Sequence, residues 1–535
     1  RIEEREEEEG PDAAAPAEPD VPPVLEPAQE RALGGMTEDL RAPHFRAHLL
    51  YGVTGSGKTE VYLRAIAETL RTERQAIVLV PEIALTPQTV RRFRARFDRV
   101  AVIHSAQTEA ERRRAWQAIR RGEADVVIGP RSAIFAPVPR LGLVVVDEEH
   151  ETSFKQEHVP RYHARDVALV RARAASCPVI LGSATPSLES WANAPRGRSV
   201  LYRLPERAGG IPLPPVEVVD IGAEEGRLFG RRLRVAVADA IAEGGQVILF
   251  LNRRGFSTLV ICGRCDHVLG CPHCSASLVF HKGRRRTVCH LCGHAAQLPP
   301  QCPACHAATL KHRGSGTERV AEEAADAWPG VPLVRVDSDT VRGRRLEEAL
   351  DTFRRGEARI LVGTQMVAKG HHFPSVNLVG VVNADTALHL PDFRANERTF
   401  GLVAQVAGRA GRGELGGRVI VQTFNPRHYA IEHAARHDFE GFAAREIDER
   451  AVLGLPPERR AALLLVAAER EEVAALAART VADAVLPVAA EFGAEVRGPA
   501  RAPIERIKGR WRMMVLVLSK SAAALSRSCA AARTA

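Results

Sequence analysis

Short apolar runs recur along the chain, at 76–80, 125–128, 143–146, 179–181, 246–251, 359–362, 378–382 and 418–422. They are rich in Val, Ile and Leu, and Arg- and Ala-rich stretches of helical character separate them. Strands of this kind alternating with helices predict βαβ units around parallel sheets. A block rich in Cys, Gly and Pro interrupts the series once, between 262 and 305. Beyond about 426 the chain becomes Ala-rich and helical, then closes with a strand-like run at 512–518 and a Ser/Ala-rich tail. Residues 1–30 lack any such pattern and hold six prolines and the run Glu6-Glu7-Glu8-Glu9, which predicts a disordered linker.

The pattern therefore predicts an α/β protein with two parallel-sheet lobes, an inserted cysteine-rich region and a C-terminal α+β domain. The expected boundaries are a linker over 1–36, a first lobe over 37–205, a second lobe over 206–261 and 306–425, the insertion over 262–305, and the C-terminal domain over 426–535.

Composition adds a partner class. The 535 residues are 45% hydrophobic and 26% charged, ordinary for globular domains, and carry a net charge of +9. Eleven acids against two arginines make residues 1–30 strongly negative, so the body is more basic than the total implies and favours a polyanion. No stretch approaches the ~18 uninterrupted apolar residues of a membrane span. No signal peptide opens the chain, which begins at Arg1 rather than Met, and a cytoplasmic, nucleoid-associated protein without a membrane partner is expected.

Candidate chemistry starts at Gly52-Val53-Thr54-Gly55-Ser56-Gly57-Lys58-Thr59, preceded by an apolar run and followed by a helical stretch. Glycines at this spacing let consecutive backbone N–H groups wrap a phosphate, and the following helix N-terminus adds partial positive charge. Lys58 is expected to reach the β/γ-phosphates of ATP, and Thr59 to hold Mg²⁺. The run ending in Asp147-Glu148-Glu149-His150 places acids at the end of a buried strand, where ligands collect in open α/β sheets. Asp147 is expected to hold Mg²⁺ through water and Glu148 to orient the attacking water. The Ser183-Ala184-Thr185-Pro186 segment follows another apolar strand and suits a γ-phosphate sensor. Arg409 and Arg412, three apart, suit developing phosphoryl charge because a planar guanidinium keeps its proton.

Four CxxC pairs, Cys262/Cys265, Cys271/Cys274, Cys289/Cys292 and Cys302/Cys305, lie within 44 residues. Each pair offers two thiolates, so the count fits two tetrahedral Zn²⁺ sites, with iron–sulfur ligation the rival. Nested pairing, with Cys271, Cys274, Cys289 and Cys292 in one site and the outer four in the other, is preferred; spacing alone does not decide against sequential pairing. After the acidic strand end, Phe154, Lys155, Arg161, Tyr162 and Arg165 mix rings and cations, which suits bases stacking while cations hold phosphates. A loop packing Phe154 and Tyr162 internally is the other reading. Near the C-terminus, Arg506-Ile507-Lys508-Gly509-Arg510-Trp511-Arg512 again surrounds an aromatic with cations, either as a strand contact or as a basic edge.

Taken together, these segments resemble the superfamily 2 DNA helicases, and within them the PriA (primosomal protein N′) family. The carrying segments include GVTGSGKTEVY (52–62), VDEEH (146–150), FKQEHVPRYHARD (154–166), LGSATPSLES (181–190), GTQMVAKGHHFP (363–374), QVAGRAGR (405–412) and the eight-cysteine block. The resemblance implies RecA-like lobes, ATP bound by Gly52 to Thr59, two zincs, and a loop at 154–166 linking DNA engagement to turnover. It also implies 3′→5′ unwinding at stalled or abandoned forks and reloading of the replicative helicase. The implied partners are forked DNA, the replicative helicase and its loader, and single-stranded DNA-binding protein. The alternative is a fork-bound scaffold with weak unwinding. The family's N-terminal DNA-binding domains have no counterpart before residue 40.

Overall fold

A computed structural model describes residues 21–82, 85–105, 107–222, 224, 228–251, 259–262, 264–265, 267–281, 286–289, 291–313, 316–336, 344–364, 373–388, 392–411 and 416–534. The acidic run before residue 21, most of the segment 363–374 and Arg412 lie outside them. The described residues divide into two compact units, the first running to Leu213 and the second starting at Pro214.

The first unit is built on seven strands: β1 (Ala47–Gly52), β2 (Gln75–Leu79), β3 (Val100–Val102), β4 (Val126–Gly129), β5 (Leu141–Asp147), β6 (Val179–Ser183) and β7 (Val200–Leu204). Their order is β3-β4-β2-β5-β6-β1-β7, and every pairing is parallel. Successive residues of a strand point to opposite faces, so each run feeds two cores at once. Leu49, Ile77, Leu79, Val144 and Val146 enter one core, and Leu50, Ala76, Val78, Leu143 and Val145 enter the other. That double burial is why the runs are apolar throughout.

The second core also takes Ala32, Met36 and Leu40 from a helix over Pro27–Arg41. Residues 27–36 are therefore not linker. Apolar side chains at four-residue spacing, Pro27 in the first turn and a reciprocal Glu26–Gln29 cap make an amphipathic helix that the proline count had obscured. Residues 206–213 also belong to this unit rather than to the second lobe, because Ala208 N–H donates to Gly55 O (3.0 Å).

The second unit carries β8 (Val216–Asp220) and β9 (Gln246–Phe250), then an inserted sheet, then β15 (Leu333–Val336), β16 (Ile360–Gly363), β17 (Val376–Val381) and β18 (Arg418–Thr423). Order β15-β16-β9-β17-β18-β8 is again wholly parallel. The inserted strands are β10 (Leu259–Cys262), β11 (Val279–His281), β12 (Arg286–Val288), β13 (Ala295–Gln297) and β14 (Leu310–Arg313), in the antiparallel order β13-β12-β11-β10-β14. Pairing of β10 with β14 closes the insertion, which thus spans 259–313 rather than 262–305.

Helices Tyr429–Ala435 and Phe439–Val452, expected in the C-terminal domain, pack instead beside the lobe's Ala395–Ala407 helix, with the Phe400 and Phe442 rings stacked at 4.5 Å. The C-terminal domain proper is the antiparallel sheet β19-β21-β20, from β19 (Arg460–Ala468), β20 (Glu495–Ile507) and β21 (Arg510–Ser519), with helices Glu471–Glu491 and Ala522–Thr534. Ala474, Ala478, Ala482, Val485 and Ala489 are buried along the first of these helices, which packs against all three strands. The Ser/Ala-rich tail forms the second helix.

Candidate functional site

Parallel strands deliver their C-terminal ends to one edge of the first sheet. Tyr51 of β1 is paired with Ser183 of β6, and Asp147 of β5 with Gly182. The glycine-rich loop, the acidic strand end and the Ser183-Ala184-Thr185 turn therefore share that edge.

The loop from Gly52 to Gly57 leads into the helix Lys58–Leu70, whose N-cap Gly57 is left-handed (φ 78°), as is Gly55 (φ 89°). A side chain at Gly57 would put its Cβ 2.3 Å from Gln29 Nε2, so glycine is needed there for both backbone and space. Lys58 is 8% exposed and donates from Nζ to Gly52 O at 2.7 Å. Gln29 went unnoticed in the sequence, yet it is buried and donates from Nε2 to Ser56 O at 2.9 Å, tying the N-terminal helix to the loop. Its only signal was the helix start at Pro27. Thr59 is half-buried beside Lys58.

Asp147 closes β5. Burial and the neighbouring Glu148 charge raise its carboxyl to a pKa of about 6. Tyr62, on the helix after the loop, is 1% exposed and donates its hydroxyl to Asp147 Oδ1 at 3.0 Å. Burial and the Asp147 charge push that phenol well up, so it stays a donor. Gly182 makes room for the ring, since a Cβ there would lie 1.6 Å from the Tyr62 oxygen. Glu148 has a left-handed backbone (φ 48°), strain of the kind that collects at functional sites. Its Oε2 is buried and has no hydrogen-bond partner among the described residues. A buried carboxylate oxygen without a hydrogen bond, with His150 Nδ1 3.6 Å away, stands beside an acid held by a phenol, a donor set suited to a hydrated divalent cation and an attacking water.

Glu149 does something else. Wholly buried, it accepts from Ser187 N–H (2.6 Å), Ser187 Oγ (3.0 Å), Ser190 Oγ (2.8 Å) and Arg165 Nη1 (3.0 Å). His150 Nδ1 and Ser183 Oγ stand 2.7 Å apart. Burial alone would lower the Arg165 pKa, but Glu149 and Asp166 raise it. Two expected nucleic-acid contacts are thereby corrected. Arg165 is spent on a buried ion pair, and Phe154 is 1% exposed in the lobe core, so neither can meet a phosphate or stack on a base. Tyr162 is half-buried, edge-on to the half-exposed Phe135 ring at 5.0 Å, while Lys155 and Arg161 are exposed. Arg409, in the second unit, is half-buried after the Ala395–Ala407 helix.

All eight block cysteines are free and fall into two groups, Cys262/Cys265/Cys302/Cys305 and Cys271/Cys274/Cys289/Cys292, each with its sulfurs within 4.8 Å of one another. This is the nested arrangement. Sulfur–sulfur separations of 3.5 Å (Cys262–Cys305), 3.7 Å (Cys265–Cys302) and 3.6 Å (Cys271–Cys292) are near the ~3.8 Å edge of a tetrahedron with 2.3 Å metal–sulfur bonds. Each knuckle folds alike: the first cysteine's N–H donates to the carbonyl five residues on, 262 to 267, 271 to 276, 289 to 294 and 302 to 307. The residues present fit zinc.

Comparison with known proteins agrees with these parts one by one. The DEAD/DEAH box helicase family matches residues 27–194, and the helicase conserved C-terminal domain matches 313–414. The PriA DNA helicase Cys-rich region matches 271–296, and the primosomal protein N C-terminal domain matches 451–535. The replication restart protein PriA of Treponema pallidum is 44% identical over 502 residues, covering 93% of this chain and 75% of that protein. The chain belongs to the PriA family. PriA of Bacillus subtilis is 45% identical over 513 residues (94% of this chain) and that of Synechocystis 46% over 513 (92%). The chain spans 63% and 61% of those two relatives' own lengths.

Proposed function

We propose that the chain is the ATP-driven motor of a replication restart helicase, unwinding DNA 3′→5′ at stalled or abandoned forks so that the replicative helicase can be reloaded. The observation that carries this reading is the convergence of Lys58, Asp147 and Glu148 on one sheet edge, in a chain of the PriA family that also gathers the eight cysteines of its inserted block into two groups of four.

In this reading the N–H groups of Gly52 to Thr59 wrap the nucleotide phosphates, with the Lys58 ammonium along the β/γ oxygens. Thr59 and Asp147 hold the hydrated Mg²⁺, which neutralises phosphate charge when bound. The Glu148 carboxylate orients the attacking water and accepts its proton. Arg409 and Arg412 are assigned to the developing phosphoryl charge. Lys155 and Arg161 meet the DNA backbone, and the buried Arg165–Glu149 pair transmits that engagement to the strand end carrying Asp147 and Glu148. Forked DNA, the helicase loader, the replicative helicase and single-stranded DNA-binding protein are the partners this role requires.

The test is phosphate release with and without forked DNA, run beside strand separation on substrates with 3′ or 5′ single-stranded tails. DNA-stimulated turnover with unwinding from the 3′ tail supports the motor. Binding with little turnover would favour the scaffold.

Two sets of variants probe the assigned chemistry. Tyr62→Phe removes the hydroxyl on Asp147 and should raise the Mg²⁺ concentration for half-maximal hydrolysis several-fold, at a stability cost of about 1–2 kcal/mol. An unchanged Mg²⁺ titration would show that the phenol does not position Asp147. Cys271→Ser and Cys289→Ser should each leave one zinc per chain and remove the same metal, as read by metal analysis of the single and double variants. Loss of a second zinc in the double variant would contradict the nested pairing.

A further inference from the structure

The basic–aromatic run at 506–512 has no part in the nucleotide site. It forms the turn of the β20–β21 hairpin, where Ile507 pairs with Arg510 and Arg506 with Trp511. Lys508 (φ 53°) and Gly509 (φ 79°) are both left-handed, the backbone of a two-residue hairpin turn whose twist matches its strands. Glycine adopts that conformation freely; lysine does so only when its surroundings hold it.

The surroundings are the Cys271 knuckle. Lys508 N–H donates to Cys274 Sγ at 3.3 Å, and Gly509 N–H to His273 O at 2.6 Å. In return Ser275 N–H donates to Arg506 O at 2.8 Å, and Arg506 Nη1 reaches Pro272 O at 3.3 Å. Ile507 packs into the small apolar cluster of Val260, Leu269, Leu278 and the knuckle cysteines. In three knuckles the first cysteine accepts an N–H from two residues on, at Arg264, His273 and Ala304. Cys274, the second cysteine of its knuckle, accepts instead from a donor 234 residues away in the C-terminal domain.

We propose that the hairpin turn is a structural member of the Cys271/Cys274/Cys289/Cys292 site, so that metal binding and the position of the turn depend on each other. The proposal rests on the reading that these thiolates hold zinc. A metal-bound thiolate is negative, and an N–H bond to a charged acceptor is roughly twice as strong as one to a neutral thiol. Donors of this outer kind orient the ligand, and their loss costs metal affinity about 10–100-fold. Conversely, a neutral or displaced Cys274 leaves the left-handed Lys508 without the acceptor that compensates its conformation. The metal would thus determine whether Arg506, Lys508, Arg510 and Trp511 stand as one ordered basic edge on the knuckle, with the Arg506 guanidinium over the Trp511 ring at 5.7 Å.

The two-site block supplies its own control, because among the described residues the hairpin's hydrogen bonds reach the Cys271 knuckle and not the outer group. In the zinc-loaded full chain, competition with a chromophoric chelator should show two zincs of comparable affinity. Lys508→Pro removes the N–H and fixes φ near −65°, and should weaken one zinc about 10–100-fold while the other is unchanged. Lys508→Gly keeps the N–H and the turn, and should bind both normally. Equal weakening of both zincs by Lys508→Pro, or of neither, would overturn the proposal. Hydrogen exchange gives a readout that needs no change in the hairpin. Cys292→Ser, which does not touch the turn, should speed exchange at Lys508 and Gly509 at least tenfold, whereas Cys265→Ser in the other group should not. Unchanged exchange in Cys292→Ser, despite one zinc lost, would refute the coupling. A wild-type chain that binds no zinc at all would instead remove the metal reading, and this proposal with it.

Discussion

Lys58→Ala is expected to lower ATP turnover by a factor on the order of 10²–10³ while DNA binding persists. The ammonium sits at the first turn of the Lys58–Leu70 helix, 8% exposed, 2.7 Å from Gly52 O and 3.5 Å from Val53 O. Phosphoryl transfer offers a protein little covalent chemistry, so catalysis comes from positioning and from charge placed against the phosphate oxygens. Deleting the loop's one ammonium removes both together. Alanine is the best helix former, so the helix itself should persist. Phosphate release measured beside fluorescence anisotropy of labelled forked DNA separates the two effects. Hydrolysis near the wild-type rate would take Lys58 out of the site.

Arg165→Ala is expected to be the most destabilising change among the charged residues of segment 154–166, by about 3 kcal/mol. Arg165 and Glu149 form a 3.0 Å ion pair with the carboxylate wholly buried. Removing the guanidinium strands that charge among the neutral donors Ser187 and Ser190, which compensate part of its desolvation but not all. Breaking one side of a buried pair typically costs 3–5 kcal/mol, and the lower end applies where other donors remain. The change also severs segment 154–166 from the strand end carrying Asp147 and Glu148, so stimulation of ATPase by DNA should fall with stability. Thermal unfolding of the first unit, followed by local hydrogen exchange because a multidomain chain need not unfold in two states, gives the first quantity. A cycle with Glu149→Gln should show coupling above ~1 kcal/mol. Arg161→Ala, on the exposed part of the same segment, should weaken DNA binding without changing stability. Equal stability of Arg165→Ala and wild type would show that the pair is not a strut.

The surroundings of these two residues were legible in the sequence to different degrees. Lys58 was legible because its neighbours are its partners: loop glycines, strand and helix all lie within about 20 residues, and spacing alone states the geometry. Arg165 was misread as a phosphate contact because its partners, Glu149, Ser187 and Ser190, come from separate segments that only sheet packing brings together. Gln29 was missed for the same reason, since its bond to Ser56 joins two segments 27 residues apart.

Strand β19 shows a second kind of limit. Its sequence, Arg460 to Ala468, is dense in Ala and Leu and reads as helix by propensity. It becomes a strand because a nine-residue antiparallel register with β21 satisfies its backbone, a tertiary contact that outweighs local preference.

By itself, then, the sequence determined what short-range pattern can state: two parallel-sheet lobes from apolar runs at β/α spacing, a glycine-rich strand–loop–helix turn, an acidic strand end, and four two-cysteine knuckles. Only the tertiary structure decided which knuckles share a site, which rings and cations of 154–166 face inward, that residues 27–36 are a packed helix, and that the 506–512 turn sits on a knuckle 234 residues distant. The reason is physical. Periodicity and spacing report interactions between residues close in the chain, whereas the burial of a charge or the partner of a thiolate depends on segments that meet only when the sheets have formed.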